Sequence, residues 1–486
     1  MPYCNLSIIK EKRYFMKYDV IIIGAGASGI MAAITAARQN KSVLLIDKEN
    51  KLGKKIYATG NGKCNFTNAY MKKECFFGNE ELSNNIFGVF SEKNVIDFFN
   101  KIGVLSYEKN GYYYPNSNQA SSIVTALELE LMRCGVTICL NSSVLEIKAI
   151  KDVRPCDSIS EYIIKGYTIE NVADVSSAGL EKNKKISKDN KHNKNSNSKR
   201  NSNKSNNNAV TQKRMFLYEC KSLIFATGLL ASPKLGSDGS SFELIQKLGH
   251  TFTSILPVLC GFYCKGNAFK KMAGVRVKGQ ISILDNGKVL NKNTGEIQIT
   301  DYGISGIPVF QVSHSISELL LSKKTVMGEI DFLTDISAEN LKQCLKNNAL
   351  ILPDKKEFKY ILNGILPDKM WNELFNYAKM DSSFTKKGII KRNMSLEKTI
   401  NDMINKLVDS IKHYQVIIEK SRGYEFAQAC SGGINSNEID ANTLESTLYN
   451  NLFFAGELLD VDGICGGYNL QWAWTSGYIA GLNAAK

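Results

Sequence analysis

Residues 18–68 read YDVIIIGAGASGIMAAITAARQNKSVLLIDKENKLGKKIYATGNGKCNFTN, and this stretch decides the fold. Asp19 to Ile23 make an apolar run with the length of a buried parallel strand, and Gly24-Ala25-Gly26-Ala27-Ser28-Gly29 follows at once. That is G-x-G-x-x-G in its required setting, between a strand and a helix. Its glycines have separate jobs: Gly24 makes the tight turn, Gly26 lets the backbone touch a pyrophosphate, and Gly29 lets the helix lie close on the sheet. Ala27 and Ser28 open that helix, whose free N–H groups face the phosphates. Ile30, Ala33, Ile34 and Ala37 recur at i, i+3, i+4 and i+7, which predicts one apolar face, and Asn40 stands where a left-handed C-terminal cap is expected. Ser42 to Ile46 is the second strand. It ends in Asp47, placed to accept ribose hydroxyls, with Lys48 beside it; an acid there favours an unphosphorylated adenosine ribose.

The chain has 486 residues, more than the roughly 250–300 that one core supports, so two or three domains are expected. Its twelve cysteines are scattered and form no C-x-x-C. That spacing pattern predicts no metal site and no dithiol, and reads as the reduced thiols of a cytoplasmic protein. No apolar run approaches the ~18 residues of a membrane span, and Met1 to Lys17 carry charges where a signal peptide needs an apolar core. The net charge is +14, yet residues 181–208 alone hold eight Lys and one Arg against one Glu and one Asp, a balance of +7. This segment also has ten Asn and no aromatic residue, so it cannot bury enough apolar surface to offset its ordering entropy, and it is predicted to be disordered.

Glu161 to Ile169 and Met215 to Cys220 are predicted as two strands of a hairpin carrying that segment at its tip, and Lys221 to Thr227 as a further buried strand that breaks at Gly228. The break Ala226-Thr227-Gly228 lies at a strand's carboxyl end, where open α/β sheets bind ligands. The fold class is α/β: a discontinuous Rossmann-like domain with an inserted antiparallel β domain and a small helical domain. Residues 17–253 form the first part of the nucleotide domain, with a disordered insertion at about 172–213. Residues 254–335 form the β domain, punctuated at Asn286-Gly287 and Thr294-Gly295; 336–412 form the helical domain; 413–486 return to both of the earlier units. His250, at a helix end, and Tyr112 to Tyr114 read as packing residues.

The C-terminal NLFFAGELLDVDGICGGYNLQWAWTSGYIAGLNAA repeats the logic of the first stretch: apolar strand, acid, glycine loop, helix. The helix start near Gly467 to Leu470 directs N–H groups and positive dipole into the cleft, where they favour extra negative charge on a bound ring.

Together GAGASGIMAA, KLGKKIYATGNGKCNFTN, FATG with SPKLGSDGS, YGISG, AQACSGGI and FAGELLDVDGICGGYNLQWAWTSGY resemble the bacterial flavoproteins of the glutathione-reductase-like FAD class. That family includes aminoacetone-oxidase-like enzymes and the flavin reductases of bile-acid-inducible operons. The resemblance implies FAD as cofactor. It implies contacts at Gly24, Gly26, Ala27, Ser28, Gly29, Asp47 and Lys48, and at Lys54, Lys55, Thr59, Gly60, Asn61, Gly62, Cys64 and Asn65 of the second loop. It adds Ala226, Thr227 and Gly228, the Val144 backbone against adenine, Gly456 and Glu457 on the ribityl chain, and Gly467, Tyr468, Asn469 and Leu470 on the ring. Two positions depart from the family pattern: Leu229 replaces a second glycine after A-T-G, and Asp301 stands where a histidine often precedes Y-G-I-S-G, leaving Tyr302 as the candidate catalytic acid.

The resemblance further implies hydride transfer through flavin N5 to a small-molecule substrate, with reduction of a conjugated C=C in a 3-oxo bile-acid-like compound as the first reading and oxidation of an aminoacetone-like amine by O2 as the alternative. No second glycine fingerprint appears in the middle third, so an NAD(P)H donor would dock transiently. A reading from another class is an RNA-associated flavoprotein with the basic insertion as its handle. The absence of interleaved aromatics there disfavours nucleic acid as a partner.

Overall fold

Strand β1 (Met16–Ile23) enters the core at Val20, and Val20, Ile21 and Ile22 have no solvent face, so both sides of the sheet need cover. The computed structural model describes residues 16–150, 161–172, 210–392 and 395–486. The predicted disorder and basic arm of residues 181–208 lie outside the described residues. β1 leads through the glycine turn into α1 (Ala27–Ala37) and then β2 (Val43–Ile46), all four of whose residues are buried. Asn40 takes the left-handed conformation expected of it, with φ 60°.

The chain next forms β3 (Phe76–Gly78), a hairpin of β4 (Ser106–Lys109) and β5 (Tyr112–Pro115), then α2 (Ala120–Arg133) and β6 (Thr137–Cys139). A long antiparallel ribbon follows, made of β7 (Ser142–Ile150), β8 (Glu161–Val172) and β9 (Val210–Phe225). The predicted strands at 215–220 and 221–227 are one. β9 runs unbroken for 16 residues because it changes partners along its length: its first part pairs antiparallel with β8, its last part parallel with β1. The ribbon thereby continues into the parallel sheet, and the order is β6-β2-β1-β9-β8-β7.

After α3 (Phe242–Lys247) the chain builds a closed six-stranded barrel from β10 (Phe262–Cys264), β11 (Arg276–Asp285), β12 (Lys288–Ile299), β13 (Gly303–Ser305), β14 (Val326–Asp331) and β15 (Tyr414–Ser421), ordered β10-β13-β12-β11-β14-β15. Asn286-Gly287 is the β11–β12 turn, with both residues left-handed. Thr294-Gly295 is no turn. Gly295 lies inside β12 opposite Gly279, and a Cβ there would come 3.0 Å from Pro308 Cγ, so the glycine admits the helix that crosses the strand. That helix, α4 (Ile307–Gln311), and α5 (Ser313–Ser322) interrupt a stretch read from sequence as strands alone. Val309, Val312 and Ile316 are buried at helical spacing.

Between β14 and β15 stand helices α6 (Ala338–Ile351), α7 (Asp368–Tyr377) and α8 (Leu396–Lys412), whose Leu345, Leu374, Phe375, Ile404 and Leu407 share one core. The chain closes with β16 (Leu452–Phe454), parallel to β9, then β17 (Val461–Gly463) and α9 (Tyr468–Ala484). α9 corrects the reading of α1 as one-faced. Ser28 through Ala37 are all buried, because Gly477 and Gly481 let α9 lie directly on α1: Cβ atoms there would fall 2.3 Å from Ser28 O and 2.4 Å from Ala32 O.

Candidate functional site

The glycine turn shows which of its residues serve the protein and which serve something else. A Cβ on Gly24 (φ +105°) would lie 2.5 Å from the Ala226 carbonyl oxygen, and one on Gly29 would lie 1.8 Å from Gly24 O. Both positions are closed by the chain itself. A Cβ on Gly26 would meet nothing within 4 Å, because Gly26 caps α1 at the wall of a cleft. The first-turn N–H groups of α1 have no intrahelical acceptor and open there.

This cleft runs in three adjoining sections across the carboxyl ends of β1, β2 and β9. The central one, open to solvent, spans about 980 Å³ and is lined by Gly24, Gly26, Ala27, Ser28, Asp47, Lys54, Lys55, Thr59, Ala226, Thr227, Gly228, Gly456, Glu457, Asn469 and Leu470. At one end it shares Asp47 and Thr227 with a section bounded by Lys48, Ser142, Ser143 and Val144. At the other it shares Lys55 and Leu470 with a wider section that holds Gly60, Asn61, Asn65 and Gly467.

Asp47 ties the two nucleotide loops together. Its Oδ2 accepts the Ala25 N–H at 2.5 Å and its Oδ1 the Glu49 N–H at 2.7 Å, leaving lone pairs for a hydroxyl in the cleft. Burial pushes its carboxyl above the ordinary range, with the two N–H groups pulling the other way. The lysines predicted to meet the cofactor all have protein partners. Lys48 bonds Asp238 and Ser240, Lys54 reaches Glu49 at 2.6 Å, and Lys55 reaches Glu457 at 3.2 Å. Glu457 is fixed from a second side by the Cys430 N–H at 2.9 Å. Gly60, Asn61, Gly62 and Cys64 take left-handed φ values around the tight second loop, with right-handed Lys63 between the last two. Asn65 is buried beneath that loop, with its Oδ1 meeting no donor of the protein.

Several predicted residues stand apart from the cleft walls. Gly29, Gly62 and Cys64 do not line the cleft, and burial pushes the Cys64 thiol up to about 12. Tyr468 is 5% exposed and donates its hydroxyl to Tyr70 O at 3.2 Å. Asn469 lines the cleft, but its amide clasps Gly463, accepting from N at 3.0 Å and donating to O at 2.7 Å; it sets the shape of the 463–467 loop. Tyr302 lies outside all three sections, stacked beneath Arg422 at 4.4 Å. Leu229 keeps out of the left-handed region and buries its side chain in the core, so the lost glycine only re-aims one side chain. His250 is a buried packing histidine between Glu438 at 3.1 Å and Ser446 at 2.9 Å.

Sequence reading missed much of the wider section, the ring-end section, so called because Gly467, Asn469 and Leu470, expected at the ring, line it. Tyr112 and Tyr114 line it, rather than serving only as packing, together with Leu259, Ile307, Phe310, Gln428 and Cys465. Of these, only Gln428 and Cys465 fall in the motifs quoted above. Behind Val461, Asp462 is 2% exposed with Oδ1 lacking a partner, and burial pushes its carboxyl well above the ordinary range. His314 Nε2 stands 3.0 Å from Ser431 Oγ and 3.8 Å from Asp462 Oδ1, with its ring stacked on Phe77 at 4.1 Å and its pKa lowered by burial.

A bent chain of adenosine, pyrophosphate and ring system fits this cleft. Gly26 leaves room that a Cβ would fill, the acid stands between the end section and the turn, and Asn65 Oδ1 awaits a donor near the ring end.

Residues 18–162 and 168–483 match the family described as HI0933-like protein Rossmann domain. The chain is similar to 3-dehydro-bile acid delta(4,6)-reductase of Clostridium scindens, with 34% identity over 96% of this chain and 98% of that one. It is also similar to ribosomal RNA dihydrouridine synthase of Escherichia coli, at 26% identity over 97% and 99% of the two chains. Among solved structures, a 3-ketosteroid-delta4-(5alpha)-dehydrogenase of Rhodococcus jostii RHA1 aligns at a TM-score of 0.44 and 12% identity, covering 99% of each chain.

Proposed function

The chain belongs to the HI0933-like family of Rossmann-domain proteins and is an FAD-dependent oxidoreductase, and from that premise we propose that it adds a hydride and a proton across a C=C bond conjugated to a carbonyl, in a 3-oxo bile-acid-like substrate. The observation that carries this reading is the lining of the ring-end section. Tyr112, Tyr114, Leu259, Ile307 and Phe310 make apolar and aromatic walls, and among the described residues no Asp, Glu or His lines it. An ammonium substrate, as the amine-oxidase alternative requires, finds no carboxylate there, whereas a flat neutral ring finds complementary surface. When bound, FAD supplies the hydride. The chain supplies position and proton. The start of α9 and the Lys55–Glu457 pair fix the passage into the ring-end section. Burial raises the pKa of Tyr112, Tyr114 and Cys465, the last to about 11, so each carries a proton at neutral pH that can be delivered to the carbon beside the carbonyl.

The names of the two relatives describe one kind of step. A delta(4,6)-reductase of a 3-dehydro acid and a dihydrouridine synthase both place hydrogen on a C=C bond conjugated to a carbonyl. A uridine in ribosomal RNA is therefore the second reading, favoured by the name of that relative and by the charge of +7 that remains outside residues 181–208. The reductant is a nicotinamide that docks transiently. A cytoplasmic setting suits the ten described cysteines, all free thiols, and no helix of the described residues is long and apolar enough to cross a membrane.

The test is anaerobic. Protein reduced with NADH or NADPH is mixed with a 3-oxo-4,6-diene bile acid or with uridine-containing ribosomal RNA, and oxidised protein is mixed with aminoacetone. Flavin reoxidation by the steroid, with a product heavier by two hydrogens per bond reduced, is the expected result. Reoxidation by RNA alone selects the second reading, and bleaching of oxidised flavin by aminoacetone would overturn both.

A further inference from the structure

The rim of the ring-end section is tied to residues 422–428. The Ser232 N–H donates to Tyr424 O at 2.8 Å, Ser232 Oγ to Ala427 O at 2.9 Å, and the Arg422 N–H to Gly261 O at 3.0 Å, two residues from the wall residue Leu259. Arg422 is held flat between two rings. Its guanidinium carbon lies 3.5 Å from the Phe426 centroid and 4.4 Å from that of Tyr302, which packs on Tyr263 at 5.3 Å. Among the described residues no carboxylate comes within ion-pairing distance of Arg422, and its buried Nε has no hydrogen-bond partner. Of the cations that line the three sections, Lys48, Lys54 and Lys55 are each paired with an acid and Lys51 is exposed; Arg422 lies outside the lining, behind the rim, and is partly buried. The nearest acids do not serve Arg422: three residues away on either side, Glu419 is exposed and Glu425 faces Lys234 at 3.7 Å, and Asp301, beside Tyr302 in the chain, is exposed on its turn.

A guanidinium clamped by aromatic faces keeps only its edge for bonding, and that edge matches a carboxylate in a two-pronged geometry. We propose that Arg422, set between Tyr302 and Phe426, binds the carboxylate of the substrate's side chain while the conjugated ring lies between the Tyr112–Tyr114 wall and Ile307–Phe310. The assignment rests on the substrate reading given above and deepens it: the substrate is a flat conjugated ketone with an acid tail. Tyr302 is then a positioning residue, acting through Arg422, and its hydroxyl has no part in proton transfer.

The experiment titrates FAD-loaded protein with 3-oxochol-4-en-24-oic acid and with its methyl ester, reading the perturbation of the flavin spectrum. Wild type is expected to bind the acid on the order of tenfold or more tightly than the ester, the scale of a charge-assisted pair. Arg422→Gln binds both with the ester's affinity and keeps its flavin content, and Arg422→Lys recovers part of the preference. Phe426→Ala, at an exposed position that leaves the core intact, lowers the preference in the same direction. Equal affinity of acid and ester for wild type, or an undiminished preference in Arg422→Gln, overturns the assignment while the substrate reading stands. Silence of both steroids overturns that reading and the assignment with it; if a short uridine-containing RNA then perturbs the flavin and Arg422→Gln abolishes the effect, the cation serves a phosphate.

Discussion

Gly26 and Gly29 are three residues apart and chemically identical, yet their environments predict opposite failures. Gly29→Ala places a Cβ 1.8 Å from a backbone oxygen and is expected to lose soluble, folded protein. Gly26→Val has room for its side chain in the protein but would fill the place proposed for the pyrophosphate, so far-UV circular dichroism should match wild type while the purified protein is colourless. Wild-type flavin content in that variant would remove the phosphate role. Asp462 gives a pH-dependent case. Its folded pKa is raised by burial, so below the ordinary aspartate value of 3.8 both states hold the proton and it costs nothing. Above that value the unfolded chain ionises while the folded one does not, and stability falls as pH rises toward the folded pKa. Asp462→Asn should therefore melt higher than wild type at pH 8, with the gap closing as the pH falls to about 4; melting curves across that range check the sign.

At the scale of elements, the α1–α9 contact is the joint on which the cleft depends. Gly477→Ala must push a backbone carbonyl of α1 away, and the expected cost is about 2 kcal/mol of stability, measured by urea denaturation, together with weaker FAD retention. The same helix carries Asn469 at its start. Asn469→Asp keeps an acceptor for the Gly463 N–H but loses the donor to Gly463 O and sets a carboxylate against that oxygen. Two consequences are expected. Equilibrium dialysis should show lower FAD affinity as the 463–467 loop loosens, and redox titration should show a lower potential, by an amount on the order of 1 kcal/mol, from the added negative charge at the helix start. An unchanged potential would mean that this helix end is directed away from the ring.

For the whole molecule, the unusual feature is a strongly basic insertion in the longest hairpin of the sheet. Val172 pairs with Val210 at the outer end of the β8–β9 ribbon, so the chain leaves and re-enters at adjacent points. Replacing residues 173–209 by an Asn-Gly turn should shift the melting temperature by no more than about 2 °C and leave flavin content unchanged. A large fall would show that the segment packs on the body of the protein. The same deletion variant, compared with wild type for RNA retention at two salt concentrations, would show whether the insertion or the folded body carries any affinity for RNA.

The sequence by itself determined the nucleotide-binding half, because its signals are local. The glycine spacing of 24–29, the apolar strands on either side and the acid at 47 each restrict the backbone within a few residues, and the G-x-x-G-G-Y-N run did the same for the start of α9. What the sequence left open depends on contacts between distant segments. The burial of α1 on every side follows from two glycines about 450 residues away. The continuity of β9 arises from its change of partner, which no local period records. The role of Gly295 depends on Pro308, and the ring-end walls assemble from residues near 60, 112, 259, 307, 428 and 467. Tyr302 shows the limit most clearly: its motif marked it as a candidate acid, but only the tertiary structure set its ring beneath Arg422, because a stacking partner is chosen by the fold across 120 residues of chain and leaves no trace in spacing.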